Sequence, residues 1–153
     1  MDMGTLHRIL GIEVHRICEE RKLMISQKAY IESILCQYSF EDLKPVSTPM
    51  DPASRLSTIQ SPLTTKEYAA MKHVPYHEAV GSLMYATLGT QLDICYAVQT
   101  VSKFNNKPGL VHWEAIKCIF KYLIGTKNLW LCYGSLTKEL LGYVDTDGSM
   151  SED

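Results

Sequence analysis

His112-Trp113-Glu114-Ala115-Ile116-Lys117-Cys118-Ile119-Phe120-Lys121-Tyr122-Leu123-Ile124 has the periodicity of a single amphipathic helix. Trp113, Ile116, Phe120, Leu123 and Ile124 recur three or four positions apart and face inward, while Glu114, Lys117 and Lys121 face water. Gly125 follows as a helix stop. Such a helix needs apolar surfaces to cover its inner face, and the preceding sequence supplies two. Residues 92–104 read as an apolar helix ended by Asn105-Asn106-Lys107-Pro108-Gly109. A further helix begins near Pro75, a residue favoured at the first helical position. It places Ala79, Val80, Leu83, Met84 and Leu88 on one face and is broken by Gly89-Thr90.

Further toward the N-terminus, Pro45, Pro49 and Pro52 exclude regular helix or central strand. The Ser/Thr/Pro-rich stretch to about Leu63 reads as an extended linker. Ser26 is of N-cap type and opens a helix carrying Ala29, Tyr30, Ile34, Leu35 and Tyr38 to about Phe40. Leu6 to Val14 reads as a strand with Gly11 as a bulge, and Leu23-Met24-Ile25 pairs back across the polar turn Cys18 to Lys22. At the other end, Leu129 to Tyr133 and Leu140 to Asp145 read as two strands joined by a turn over Gly134 to Glu139. The sequence stops soon after, and an unpaired edge at that point predicts a truncated fold. The expectation is therefore α+β: a short N-terminal hairpin, a helical middle and a C-terminal strand pair.

The chain has 153 residues with 46% hydrophobic and 21% charged, enough for one modest core and unlike a disordered chain. A net charge of −2 excludes a global basic field that would recruit nucleic acid or anionic membrane. No stretch is long and apolar enough to span a bilayer, and the first residues lack a secretory leader's apolar run and cleavage site. A cytosolic or nuclear protein follows from these features alone. The 5 cysteines form no C-x-x-C pair, which argues for buried free thiols over disulfides or a zinc site.

Eight segments in order carry a resemblance. They are Leu10-Gly11-Ile12-Glu13-Val14, Ile25-Ser26-Gln27, Pro45-Val46-Ser47-Thr48-Pro49-Met50 and the run from Tyr76-His77-Glu78-Ala79 to Tyr85. Gly89-Thr90-Gln91-Leu92-Asp93-Ile94, His112-Trp113-Glu114-Ala115, Tyr122-Leu123-Ile124-Gly125-Thr126 and Gly142-Tyr143-Val144-Asp145-Thr146-Asp147 complete the series. Their order and spacing resemble copia-type retroelement polyproteins, from the end of the reverse transcriptase to the start of RNase H. The resemblance divides the chain into residues 1–43, an end-of-palm hairpin and thumb-like helix; 44–74, a linker; 75–127, a connection-like helical region; and 128–153, strands like the truncated start of an RNase H fold. It places the polymerase's paired catalytic aspartates upstream of Met1. Asp145 matches one RNase H carboxylate, and one carboxylate cannot assemble a two-metal site. No catalysis, no cofactor and no bound metal are expected. The sequence departs from the family at Gln91-Leu92, where Arg-Pro is usual, and at Gly148, where Trp is usual.

Three further patterns bear on ligands and partners. Lys103, Lys107, Lys117, Lys121 and Lys127 surround the aromatic residues Phe104, Trp113 and Tyr122, which would suit weak, sequence-independent phosphate contacts or an ordinary solvated face. His73 and His77 are four apart, but Pro75 intervenes and no third ligand follows, so a metal site is not expected. Arg8-Ile9-Leu10-Gly11 with Glu19-Glu20-Arg21 resembles a degenerate RxLR–EER motif of secreted oomycete effectors, Gly11 standing where an arginine belongs. The whole chain also resembles a retroelement-like member of the RxLR-type effectors of a grapevine downy mildew. That resemblance implies a secreted, non-enzymatic protein, delivered to the cytoplasm or nucleus of a plant host cell. There it would bind a host protein to suppress defence or cell death. The alternative is a catalytically dead copia remnant that binds nucleic acid weakly.

Overall fold

The computed structural model describes residues 6–134. Among them, four antiparallel strands lie in the order β1 (Arg8–Ile9), β2 (Ile12–Ile17), β3 (Lys22–Ser26) and β4 (Leu131–Gly134). Between β3 and β4 the chain forms α1 (Lys28–Gln37), α2 (Thr65–Met71), α3 (Tyr76–Gly89), α4 (Cys95–Ser102) and α5 (Leu110–Thr126). The class is α+β, as the sequence predicts.

The core lies among the helices. Ile31 and Leu35 of α1, Leu83 of α3, Val101 of α4 and Ile116 and Leu123 of α5 are buried together. Each such side chain removed from water contributes about 1.5–3 kcal/mol. An aromatic group closes one side: Phe40 lies 5.2 Å from Phe120 and 6.0 Å from Trp113, ring centre to ring centre. Tyr76 is buried and donates from its phenol to the Val101 carbonyl at 2.8 Å, tying the start of α3 to α4. Burial pushes that phenol well above its ordinary pKa.

Several local expectations change. Leu6 to Val14 is not one strand, because the chain reverses at Leu10-Gly11 so that Ile9 pairs with Ile12 and Arg8 with Glu13. Both turn residues have positive φ, 50° and 76°, the geometry of a two-residue hairpin turn, so Gly11 makes a turn and not a bulge. Ser26 ends β3, yet its hydroxyl still accepts from the Lys28 N–H at 3.2 Å. On α3, Met84 and Leu88 point outward, and Tyr76 and Ala86 take the core positions instead. The inner stripe is set by where α4 and α5 lie, not by which residues are most apolar. The helix read at residues 92–104 opens with a 3-10 turn, Leu92–Ile94, before α4. Cys18, Cys36, Cys95 and Cys132 are exposed and Cys118 is half-buried, correcting the expectation of buried thiols. They sit on the outward sides of their elements.

The linker also holds structure that the prolines hide. A 3-10 turn spans Thr58–Gln60, and α2 follows. The signal for α2 is Thr64-Thr65-Lys66-Glu67: Thr64 accepts from the Glu67 N–H at 3.3 Å, and the Glu67 carboxylate accepts from the Thr64 N–H at 3.1 Å. The Leu63 N–H, donating at 2.8 Å, and then the Thr64 N–H hold the Glu67 carboxyl below its usual pKa.

β4 pairs with β3, Leu131 opposite Ile25 and Tyr133 opposite Leu23. The two ends of the described chain thus meet in one sheet. The turn and strand expected at 135–145 lie outside the described residues, as do Asp145 and Gly148.

Candidate nucleic-acid interface

The aromatic residues that the lysines surround are not available to a ligand. Phe104 is buried and stacks on His112 with ring centres 4.1 Å apart. Trp113 belongs to the aromatic side of the core. Tyr122 is half-buried on α5 and donates from its phenol to Asp93 Oδ2. That bond first, then burial, pushes the phenol up to about 12.

The lysines are outward, but two are already paired: Lys117 with Glu114 at 2.7 Å and Lys127 with Glu32 at 3.3 Å. Lys107 lies over the Tyr68 ring, 5.6 Å from its centre. Lys103 is exposed and Lys121 half-buried, and neither forms an ion pair among the described residues. What this face offers is point charges for phosphate, without stacking partners.

His112 is fully buried and joins the linker to α5. Its Nδ1 accepts from the Gly109 N–H at 2.8 Å, capping the start of α5, and Nε2 lies 3.2 Å from the Ser57 carbonyl, placed to donate to it. Burial lowers its pKa, partly offset by the bond to Ser57. This arrangement is structural: the ring has no free nitrogen for a metal or a proton transfer.

The segments of the RxLR-like pattern lie at opposite ends of β2. Arg8 and Ile9 form β1, Leu10-Gly11 the first turn, and Glu19, Glu20 and Arg21 the turn between β2 and β3. A six-residue strand separates them by about 20 Å, so they do not form one surface. His77 is exposed on α3 and His73 precedes that helix. Among the described residues no group of three or more His, Cys, Asp and Glu side chains is placed to hold a metal ion. Among them also, no helix is long and apolar enough to cross a membrane. Gln91 is buried and Leu92 begins the 3-10 turn at 62% exposure. A proline at that first position would be tolerated, so the departure from Arg-Pro leaves the turn intact.

One cluster went unrecognised in the sequence. Arg16, Arg21 and Lys22 meet Leu23 and Tyr133 around an open cavity of about 560 Å3 at the end of the sheet. The alternation of β2 places Arg16, but Tyr133 arrives only through the pairing of β4 with β3.

No protein-family model and no solved structure matches the chain. The retrovirus-related Pol polyprotein from transposon TNT 1-94 of Nicotiana tabacum is 45% identical over 146 residues, 95% of this chain and 11% of that protein. The corresponding polyprotein from transposon RE1 of Arabidopsis thaliana is 36% identical over 99% of this chain and 10% of its own length. Secreted RxLR effector protein 161 of Plasmopara viticola is 40% identical over 78 residues, 50% of this chain and 55% of that protein. The effector likeness therefore covers half the chain, not the whole of it. The chain spans about a tenth of the length of the Pol polyproteins it matches. Along nearly its whole length, this chain resembles one segment of the retrovirus-related Pol polyproteins of copia-like transposons.

Proposed function

We propose that the chain serves as a non-catalytic segment of a copia-type Pol polyprotein, linking a polymerase to a nuclease and contacting the nucleic-acid backbone weakly. The observation that carries this reading is the 45% identity to a Pol polyprotein over 95% of the chain. In this reading residues 1–43 are the end of the palm and a thumb-like helix, 44–74 a linker, 75–127 a connection, and 128–153 the first strands of an RNase H. Lys103 and Lys121 supply phosphate contacts without base readout. Asp145 is one RNase H carboxylate and does not act alone.

The test is a template–primer duplex with the purified chain and magnesium. Weak binding that falls steeply with salt, no sequence preference and no nucleotide addition or strand cleavage are expected. Turnover abolished by Asp145→Asn would overturn the non-catalytic part. Absence of binding at low salt would overturn the nucleic-acid part.

A second reading is a secreted effector that binds a host protein and suppresses cell death. It is supported by the likeness of half the chain to an RxLR effector and by the exposed positions of Arg8, Ile9, Leu10, Glu19, Glu20 and Arg21. Expression in leaf tissue tests it: elicited cell death that proceeds unchanged while the protein accumulates would sink the idea.

A further inference from the structure

We propose that the open end of the sheet binds single-stranded nucleic acid, with Arg16 and Arg21 on phosphates and Tyr133 against a base. The site shares its ligand class with the reading above but lies on a different surface from Lys103 and Lys121, and separate variants test the two.

The cavity is lined by three cations and no carboxylate, in a chain whose net charge is −2. Among the described residues Arg16 and Arg21 have no ion-pair partner, so both guanidiniums keep their donors for a ligand. Lys22 is held by Glu20 at 2.6 Å and, being opposite Ile17 and Gly134, alternates to the other face of the sheet. A guanidinium matches two phosphate oxygens at once, which an ammonium cannot do.

The sheet register places the stacking surface beside the charge. Arg16 is opposite Leu23, and Leu23 is opposite Tyr133, so the three lie in one row on one face. Adjacent strands are about 4.8 Å apart, which puts the Arg16 and Tyr133 backbones roughly 10 Å from one another. Tyr133 is 53% exposed, unlike the aromatic residues near α5. A base stacks on such a ring only when it is unpaired, which selects a single strand over a duplex.

Arg21 adds an independent observation. Its φ is 50°, a left-handed conformation that glycine or asparagine adopts more easily. The turn thus carries a cationic side chain at the cavity where local backbone preference favours a small residue.

The experiment is fluorescence anisotropy of a short labelled oligothymidylate with the full chain, over a salt series. The double substitution Arg16→Ala/Arg21→Ala should weaken binding about tenfold or more and flatten the log–log salt slope by about 1.4, two phosphates at ~0.7 each. Tyr133→Ala should weaken binding at least about fivefold without changing that slope, and Tyr133→Phe should restore it. All three positions are exposed, and unchanged thermal melting confirms that each variant folds. Wild-type binding by the double variant, with loss in Lys103→Ala/Lys121→Ala, would overturn this site and support the face with those lysines. Full competition by inorganic tripolyphosphate with a silent Tyr133→Ala would overturn the single-strand assignment. No binding by the wild-type chain at low salt would overturn both readings.

Discussion

The side-chain oxygen of Gln27 accepts two hydrogen bonds from Thr90, one from its backbone N–H at 2.9 Å and one from its hydroxyl at 3.1 Å. The same amide donates to the Tyr85 carbonyl at 3.4 Å. A residue at the junction of the sheet and α1 thereby satisfies the end of α3, and all the contacts with Thr90 are buried. Gly89 makes the approach possible, since a Cβ there would lie 2.2 Å from the Gln27 side chain.

Gln27→Ala should cost about 1–3 kcal/mol, because the buried Thr90 hydroxyl loses its acceptor and the Thr90 N–H keeps only its longer bond to the Ala86 carbonyl at 3.3 Å. Gly89→Ala should cost a similar amount by displacing the same amide, about 1–3 kcal/mol. The two losses should not add: once Gln27 is alanine, the added methyl no longer meets the amide. Chemical denaturation of both single variants and the double variant measures the coupling, and strict additivity would contradict the contact.

His112 predicts a pH dependence. Its folded pKa is lowered, chiefly by burial, so the unfolded chain binds the proton more readily. The stability it contributes is complete above the unfolded value of about 6.5 and is lost as pH falls from there through the lowered folded value. Protonation would also put a proton on Nδ1, against the Gly109 N–H that it now accepts. Thermal melts from neutral to mildly acidic pH should show a falling midpoint, with a shallower fall in His112→Asn. Equal slopes for the two proteins would show that other groups govern the acid limb.

Leu10 occupies a turn position with φ 50° and is 79% exposed, so its side chain gains little from packing. Leu10→Asn creates the Asn-Gly pair that this turn type prefers, and should stabilise the hairpin by roughly 0.5–1 kcal/mol. The Tyr85 phenol donates to the Leu10 carbonyl, a backbone contact that the substitution retains. Hydrogen exchange in β1 and β2 should slow, and faster exchange would mean that Leu10 packs more than its exposure shows.

Tyr122 should titrate late. Its phenol is pushed up to about 12, mainly by the hydrogen bond to Asp93. In Asp93→Asn it should move toward the ordinary value near 10. The unfolded phenol ionises first, so this bond contributes stability below about 10 that is lost as pH rises toward about 12. Ultraviolet titration, with Tyr122→Phe to identify the component, reads the shift directly. An unchanged titration in Asp93→Asn would assign the shift to burial instead.

Helices are legible in this sequence where their residues face one continuous surface. α5 shows its inner side at Trp113, Ile116, Phe120 and Leu123, all of which are buried. α1 and α3 are found for the same reason, and copia-like segments lie along α3 and α5. Legibility fails where the surface is decided by a neighbour: Met84 and Leu88 are apolar at helical spacing and yet exposed. α2 has no buried residue and hence no apolar stripe, and its capping residues Thr64 and Glu67 are its only local mark.

The candidate site divides in the same way. Sequence by itself determined the α+β class, the helical middle and the likeness to a Pol segment, because these depend on local periodicity and on residue order. Tertiary structure alone decided that Phe104 belongs to the core and not to a ligand. It alone brought β4 onto β3 and so set Tyr133 in a row with Leu23 and Arg16. Strand pairing between distant segments leaves no local periodic trace, since any exposed strand of matching alternation could have taken that edge.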